Sequence, residues 1–377
     1  MPPMTRRPSR ALFGALAGGG VLLLVAVVAL APRPGAAADP SAPPGSSLSR
    51  SLEASGLPLP HAMTDAEFWQ FVSSHSESSG SFPRENLTSN ETLFERVIPD
   101  LTKRVKTGQV YLGVGPEQNF TYIAALKPSM AVIFDIRRGN LDVQLLYKAI
   151  FEMSADRADF VSTLFSRPRP AGLTAGTSVA DMFSAFARVA PSNEMYARNL
   201  KVIEDRLTAT HKFAMTKADV EWVEYVFDTF RRYGYSVRPS PTYAELMTAT
   251  DEAGSFRSYL ADESSFAWLK DLETRNLVIP VVGDFAGPKA IREVGAYLKA
   301  HDATVGAFYL SNVEDYLYQD GKEQAFCANV ATLPLDSSST FIRSSSRGRA
   351  GFGGIGGFGG GFVSSLGQMA AEVQSCR

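Results

Sequence analysis

The chain has 377 residues, 45% of them hydrophobic, with a formal net charge of −2, two cysteines and four histidines. That length suits one large domain or two ordinary ones with a sizeable core. The near-neutral, slightly acidic balance excludes a generally basic nucleic-acid surface, and no C-x-x-C or H-E-x-x-H spacing offers a zinc site.

Arg6, Arg7 and Arg10 precede an apolar run from Ala11 to Ala31, and Ala36-Ala37-Ala38 follows as an A-x-A site. This order predicts that residues 1–38 are a secretory signal. Alternatively they are an uncleaved anchor, because about twenty apolar residues are long enough to span a bilayer. Either way the basic flank stays inside and the body is exported, periplasmic or extracellular, touching a membrane only through this N-terminal segment. Residues 39–63 are rich in Pro, Ser, Gly and Ala and read as a linker. Thr64 and Glu67 form a capping-box pair that opens a helix. Ser73 to Asn90 reads as a polar loop, and Leu93 to Val105 as a helix bent at Pro99.

The stretch from Gln109 to Asn140 organises the rest. Val110 to Leu112 is a short buried strand, Gly113 and Gly115 allow a sharp turn close to a ligand, and Pro116 and Glu117 suit the first turn of a helix. Backbone N–H groups of this turn are expected to face the ligand. Pro128 stops the helix, Met130 to Phe134 form a second strand, and Asp135 ends it. A carboxylate about twenty residues beyond such glycines is where nucleotide binders hold ribose hydroxyls. An NAD-type site asks for a small residue at position 118, where Gln118 stands instead, and no phosphate-binding G-x-x-x-x-G-K-[ST] occurs.

From 141 to 270 the apolar residues keep helical spacing, which predicts a large helical insertion beginning with one long helix from Leu141 to Phe165. Within it, Gly176-Thr177-Ser178 approaches the hydrolase elbow, but no strand precedes it, and Ser178 with Asp181 suits a helix cap. Leu277 to Val282 is the next buried strand, ending in Gly283-Asp284-Phe285. A helix from Pro288 to His301 follows, then a strand from Thr304 to Leu310 ending in Ser311-Asn312. Ala325 to Leu333 and Thr340 to Arg343 read as a late antiparallel hairpin, and residues 344–377 as a Gly-rich flexible tail. The terminal position of Cys376 favours unpaired thiols at Cys327 and Cys376 over a disulfide between them.

The expected fold is therefore α/β: a Rossmann-like, doubly wound, mostly parallel sheet over residues 64–343 with one helical insertion. Four polar strand tips (Gly113/Gly115, Asp135, Gly283-Asp284 and Ser311-Asn312) would meet outside the carboxyl ends of the strands, where open α/β sheets bind ligands. Their order resembles the class I S-adenosylmethionine-dependent methyltransferases. More narrowly, G-V-G-P-E-Q-N-F-T-Y-I-A with F-D-I-R-R-G-N resembles an uncharacterised bacterial group of exported methyltransferase-like proteins. The resemblance implies S-adenosylmethionine as the cofactor, with Gly113 and Gly115 at its methionine part, Asp135 at the ribose and Asp284 at the adenine. Glu117, Gln118, Asn119, Ile136, Arg137, Gly283, Phe285 and Ser311 complete the implied cofactor-binding set, and Asn312 is the implied catalytic residue. One position departs from the pattern: Tyr111 stands where the family usually has an acidic residue. The resemblance thus leaves two readings, a methyltransferase acting on a substrate it does not name, and an exported binding module that keeps the fold without turnover.

Overall fold

Four runs in this chain are apolar without alternation, the pattern of strands covered on both faces, and all four become parallel strands. A computed structural model describes residues 57–237, 241–346 and 362–376. The signal or anchor segment and residues 347–361 lie outside the described residues. In chain order come α1 (Asp65–His75), a 3-10 turn (Phe94–Val97), α2 (Ile98–Arg104), β1 (Val110–Val114), α3 (Gln118–Leu126) and β2 (Ala131–Asp135). Then follow α4 (Arg138–Met153), α5 (Arg157–Leu164), α6 (Val179–Phe186), α7 (Asn193–Asp205), α8 (Lys217–Tyr233), α9 (Tyr243–Met247) and α10 (Glu263–Thr274). The remainder is β3 (Val278–Val282), α11 (Ala290–Ala300), β4 (Val305–Ser311), α12 (Val313–Gln319), α13 (Glu323–Val330), β5 (Thr340–Ser346), β6 (Phe362–Gln368) and α14 (Met369–Glu372).

The sheet order is β3-β2-β1-β4-β5-β6. The first five strands run parallel and β6 is antiparallel to β5. This is the strand order of a Rossmann-like α/β fold, whose crossover direction reverses between β1 and β4. Pro280 lies within β3, which the order puts at the sheet edge, the place where a missing N–H costs least. Between β2 and β3 the regular elements of the described chain are helices, joined by loops with one isolated bridge, Thr250 to Phe256. Leu145, Leu146, Tyr147, Ala149, Ile150 and Phe151 of α4 are completely buried, and the helix packs against β2, β3, α8 and α10.

Several expectations are corrected. The single long helix from Leu141 is two, because Asp156 caps a new helix by accepting from the Asp159 N–H at 2.8 Å. The helix from Leu93 begins as a 3-10 turn, with Pro99 in the first turn of α2. The late hairpin does not form: Phe326, Asn329 and Val330 are the buried face of α13, and β5 joins the sheet beside β4 instead. The supposed flexible tail contains β6, whose following turns are held by buried Met369 and Val373. Its end is tied back by a disulfide between Cys327 and Cys376, with Cα atoms 5.5 Å apart. The thiols are therefore paired, since β6 carries the terminus back to α13.

Away from the sheet tips, the root of α1 is fixed by a partly buried ionic cluster. His211 bridges Asp65 on α1 at 2.9 Å and Glu152 on α4 at 2.8 Å. Glu152 also pairs with Lys148 at 2.9 Å and Arg206 at 3.1 Å. Burial alone would raise the Glu152 carboxyl, but His211 and Lys148 outweigh it and hold it down at about 2. Burial likewise opposes the charge on His211, yet its two carboxylate partners raise its pKa above the usual value.

Candidate functional site

At the carboxyl ends of β1 to β4 the chain leaves a cleft of about 320 Å³, within the size range of small-molecule sites. Val114, Gly115 and Pro116 line it from β1, Asp135 and Ile136 from β2, Gly283, Asp284 and Phe285 from β3, and Tyr309, Ser311 and Asn312 from β4. The four tips named from the sequence thus share one wall.

The glycine turn is built from inside. Gly115 has φ +80°, a conformation open to glycine at no steric cost. Its carbonyl accepts from the side-chain amides of Gln144 at 2.9 Å, Asn140 at 3.2 Å and Asn119 at 3.3 Å. Its N–H donates to the Phe134 carbonyl at 3.1 Å, and Pro116 has none, so the expected ligand-facing N–H groups at these two positions are absent. Gly113 does not reach the cleft wall. A Cβ there would fall 1.9 Å from Asn119 Oδ1 and 2.8 Å from the Tyr111 ring, so the room this glycine leaves is filled by the protein itself. The Tyr111 hydroxyl donates to Asn119 Oδ1 at 2.9 Å.

Asp135 keeps 12% of its side chain exposed. Its Oδ1 accepts from the Arg137 N–H at 2.8 Å, and among the described residues no hydrogen bond reaches the other oxygen. Burial pushes this carboxyl up, partly offset by the Arg137 guanidinium, whose Nε lies 3.7 Å away. Asp284 turns its Oδ1 to the Ala286 N–H at 2.9 Å and faces Lys322, which also lines the cleft, at 3.7 Å. Phe285 stacks on Phe326 with ring centroids 5.5 Å apart. Ser311 Oγ donates to Glu91 Oε1 at 2.5 Å.

The opposite wall is a strap, residues 76–91, that the sequence showed only as a polar loop. Ser81, Phe82, Pro83, Asn86, Thr88, Ser89 and Asn90 face the cleft. The strap is fastened to the tips it covers. Glu77 accepts from the backbone N–H groups of Ala290 at 2.8 Å, Lys289 at 2.9 Å and Asp284 at 3.2 Å. The Gly80 N–H donates to the Ile136 carbonyl at 2.7 Å. Farther along, the Ser89 N–H donates to the Glu117 carboxylate at 3.0 Å, and Arg137 donates to the Glu85 carbonyl. Phe82 meets Tyr316 of α12 edge-on at the mouth, with centroids 5.2 Å apart.

Four more residues expected at the cofactor are engaged elsewhere and do not line the cleft. Glu117 is buried under the strap, Gln118 donates to Glu91 at 2.9 Å, Asn119 serves the glycine turn, and Arg137 ties the strap. Phe82, Asn86, Asn90, Tyr316 and Lys322 are cleft residues that sequence reasoning missed; an aromatic followed by proline inside a polar stretch, Phe82-Pro83, was the available signal. Ser178 caps α6, accepting from the Asp181 N–H at 3.1 Å. Among the described residues no group of three or more His, Cys, Asp or Glu side chains is arranged to hold a metal, and no helix is long and apolar enough to cross a membrane.

A family model described as a domain of unknown function, DUF7790, matches residues 87–356. No curated protein matches the chain.

Proposed function

The chain belongs to that family, and we propose that its cleft binds a nucleoside-type ligand of the S-adenosylmethionine class, as a methyltransferase-like protein. The observation that carries this reading is the meeting of Asp135, Asp284 and Asn312 around one cleft at the reversal point of the sheet. Asp135 keeps an oxygen for a ribose diol. The Asp284 carboxylate can accept from a purine amino group. Asn312, at the end of β4, offers both a donor and an acceptor beside the reacting group.

A second reading, an exported binding module without turnover, is favoured by Tyr111. Its hydroxyl is spent on Asn119 inside the protein, so this position offers no carboxylate to the amino group of a methionine moiety. Export is proposed from residues 1–38, and the Cys327–Cys376 disulfide supports it, because such bonds persist in oxidising compartments. Fusing residues 1–45 to a reporter active only outside the cytoplasm should give activity; a silent, soluble fusion would remove export from the account.

The binding test is calorimetry of the purified protein with adenosylmethionine, adenosylhomocysteine and NAD side by side. Binding of the two adenosyl ligands, with NAD at least tenfold weaker, is expected. Equal or tighter NAD binding, or no adenosyl binding at millimolar concentration, would defeat the reading. If the ligands bind, a mixed-substrate methylation screen separates turnover from binding alone.

A further inference from the structure

The turn from β4 into α12 carries a strained serine. Ser311 has φ +52°, in the left-handed region that a non-glycine residue occupies only when its surroundings over-determine it. The β4–β5 register shifts between Tyr309 and Ser311, so the strain is part of the strand end. Strain of this kind concentrates at functional sites. The side chain it aims lines the cleft, and its Oγ donates to Glu91 Oε1 at 2.5 Å.

Glu91 is only 1% exposed and comes from the far end of the strap. Its other oxygen accepts from Gln118 Nε2 at 2.9 Å and from the Ser344 hydroxyl. Those two donors fix the carboxylate and Oε1 accepts from Ser311, with the Tyr309 hydroxyl hydrogen-bonded to both Glu91 and Ser311. A hydroxyl on a strained strand-to-helix turn, hydrogen-bonded to a base that a further group orients, is the arrangement of an activated nucleophile. Ser178 nearly matches the sequence motif for such a turn yet caps a helix, whereas Ser311 has the geometry without the glycines.

We propose that Ser311 is a nucleophile, that Glu91 is its general base, and that the cleft accepts a small uncharged or cationic carboxylic ester. The charge preference follows from three carboxylates lining the cleft, Asp135, Asp284 and Asp320, against one cation there, Lys322, a balance that repels anionic phosphate esters. Oγ adds to the ester carbonyl carbon while its proton passes to Glu91 Oε1, and the carbonyl π pair moves onto the oxygen. The Asn312 side-chain Oδ1 accepts from Ser311 Oγ at 3.4 Å; turned over, the same amide presents its NH2, one of the donor types that stabilise such an oxyanion. Collapse breaks the ester C–O bond, and the departing alkoxide takes the proton back from Glu91. Water then adds to the acyl–Ser311 ester by the same route and releases the acid. A carboxylate is a weaker base than imidazole, so slow turnover is expected. The proposal stands on Ser311 and Glu91 and does not depend on a nucleoside at the other tips.

The test uses the full chain with a fluorophosphonate probe, mass-spectrometric mapping of the adduct, and hydrolysis of p-nitrophenyl acetate. Wild type should carry one adduct, on Ser311. Ser311→Gly, which relieves the left-handed backbone and so keeps the fold, should carry none and lose the esterase activity. Glu91→Gln should label at least tenfold more slowly. No adduct on wild type, an adduct elsewhere, equal labelling of Ser311→Gly, or wild-type labelling of a folded Glu91→Gln would each overturn the proposal.

Discussion

The two walls of the cleft hold their shape by different means. The strand-tip wall is an outgrowth of the sheet: β1 to β4 are buried on both faces, and their parallel ladders fix where Gly115, Asp135, Gly283 and Ser311 emerge. The strap has no ladder. Beyond two isolated backbone bonds, Glu77 N–H to the Val282 carbonyl at 2.8 Å and Gly80 N–H to the Ile136 carbonyl at 2.7 Å, it is fixed by charged and polar side-chain contacts with distant residues, Glu77 to the start of α11 and Ser89 to Glu117. A wall made by the core should tolerate loss of its polar side chains, and a wall made by side-chain anchors should not.

The largest expected effect tests that contrast on the strap. Glu77→Ala removes one carboxylate that answers three backbone N–H groups. Hydrogen bonds to charged groups are worth roughly 1.5–3 kcal/mol each, shared here over two oxygens, so a loss of about 3 kcal/mol is expected. Chemical denaturation would measure it, and hydrogen exchange should show residues 76–91 opening ahead of the sheet. A stability loss below about 1 kcal/mol would mean the strap is held some other way.

Next comes the far end of the strap. Glu117→Ala strands the Ser89 N–H and empties a fully buried site. A cost of about 2 kcal/mol is expected by denaturant titration, as for other buried charged hydrogen bonds. From sequence, Glu117 reads as a first-turn helix residue and an implied cofactor contact, with no hint of the strap.

A smaller effect concerns pH. His211 has a raised pKa in the folded chain, so its pairing stabilises fully below the unfolded value near 6.5 and is lost as pH rises through the folded value. Glu152, held at about 2, contributes stability that is complete above the unfolded value near 4.5 and is lost as pH falls from there through the folded value. The cluster anchors α1, from which the strap departs. Thermal melts from pH 5 to 9 should fall with rising pH in wild type, by an amount on the order of 1 kcal/mol for a partly exposed pair. His211→Gln should lack that slope; an identical slope would assign the dependence to another group.

The contrast also explains what was legible beforehand. Strand tips announce themselves, because apolar runs, a glycine turn and an aspartate at a strand end are local patterns. The strap is Ser- and Asn-rich with no period, and its anchors lie far away in sequence, as between Glu77 and Lys289 or Ser89 and Glu117. The run from Ala325 was misread as a strand because a short apolar stretch suits either state; the four-residue spacing of Phe326 and Val330 decides for helix. β6 was hidden by the glycines before it and by its place at the sheet edge, where backbone pairing to β5 does most of the ordering. Ser311 was legible as part of the β4 tip, but its left-handed backbone was not, since no residue type marks a left-handed serine.

The most direct test of the central claim is titration of wild type and Asp135→Ala with adenosylhomocysteine, alongside thermal melts. A ribose diol bound by that carboxylate makes charged hydrogen bonds of roughly 1.5–3 kcal/mol each, and ~1.4 kcal/mol is a tenfold change. The account predicts at least tenfold weaker binding by Asp135→Ala with a nearly unchanged melting temperature. Equal affinity of the two proteins, or binding by neither at millimolar concentration, would contradict it.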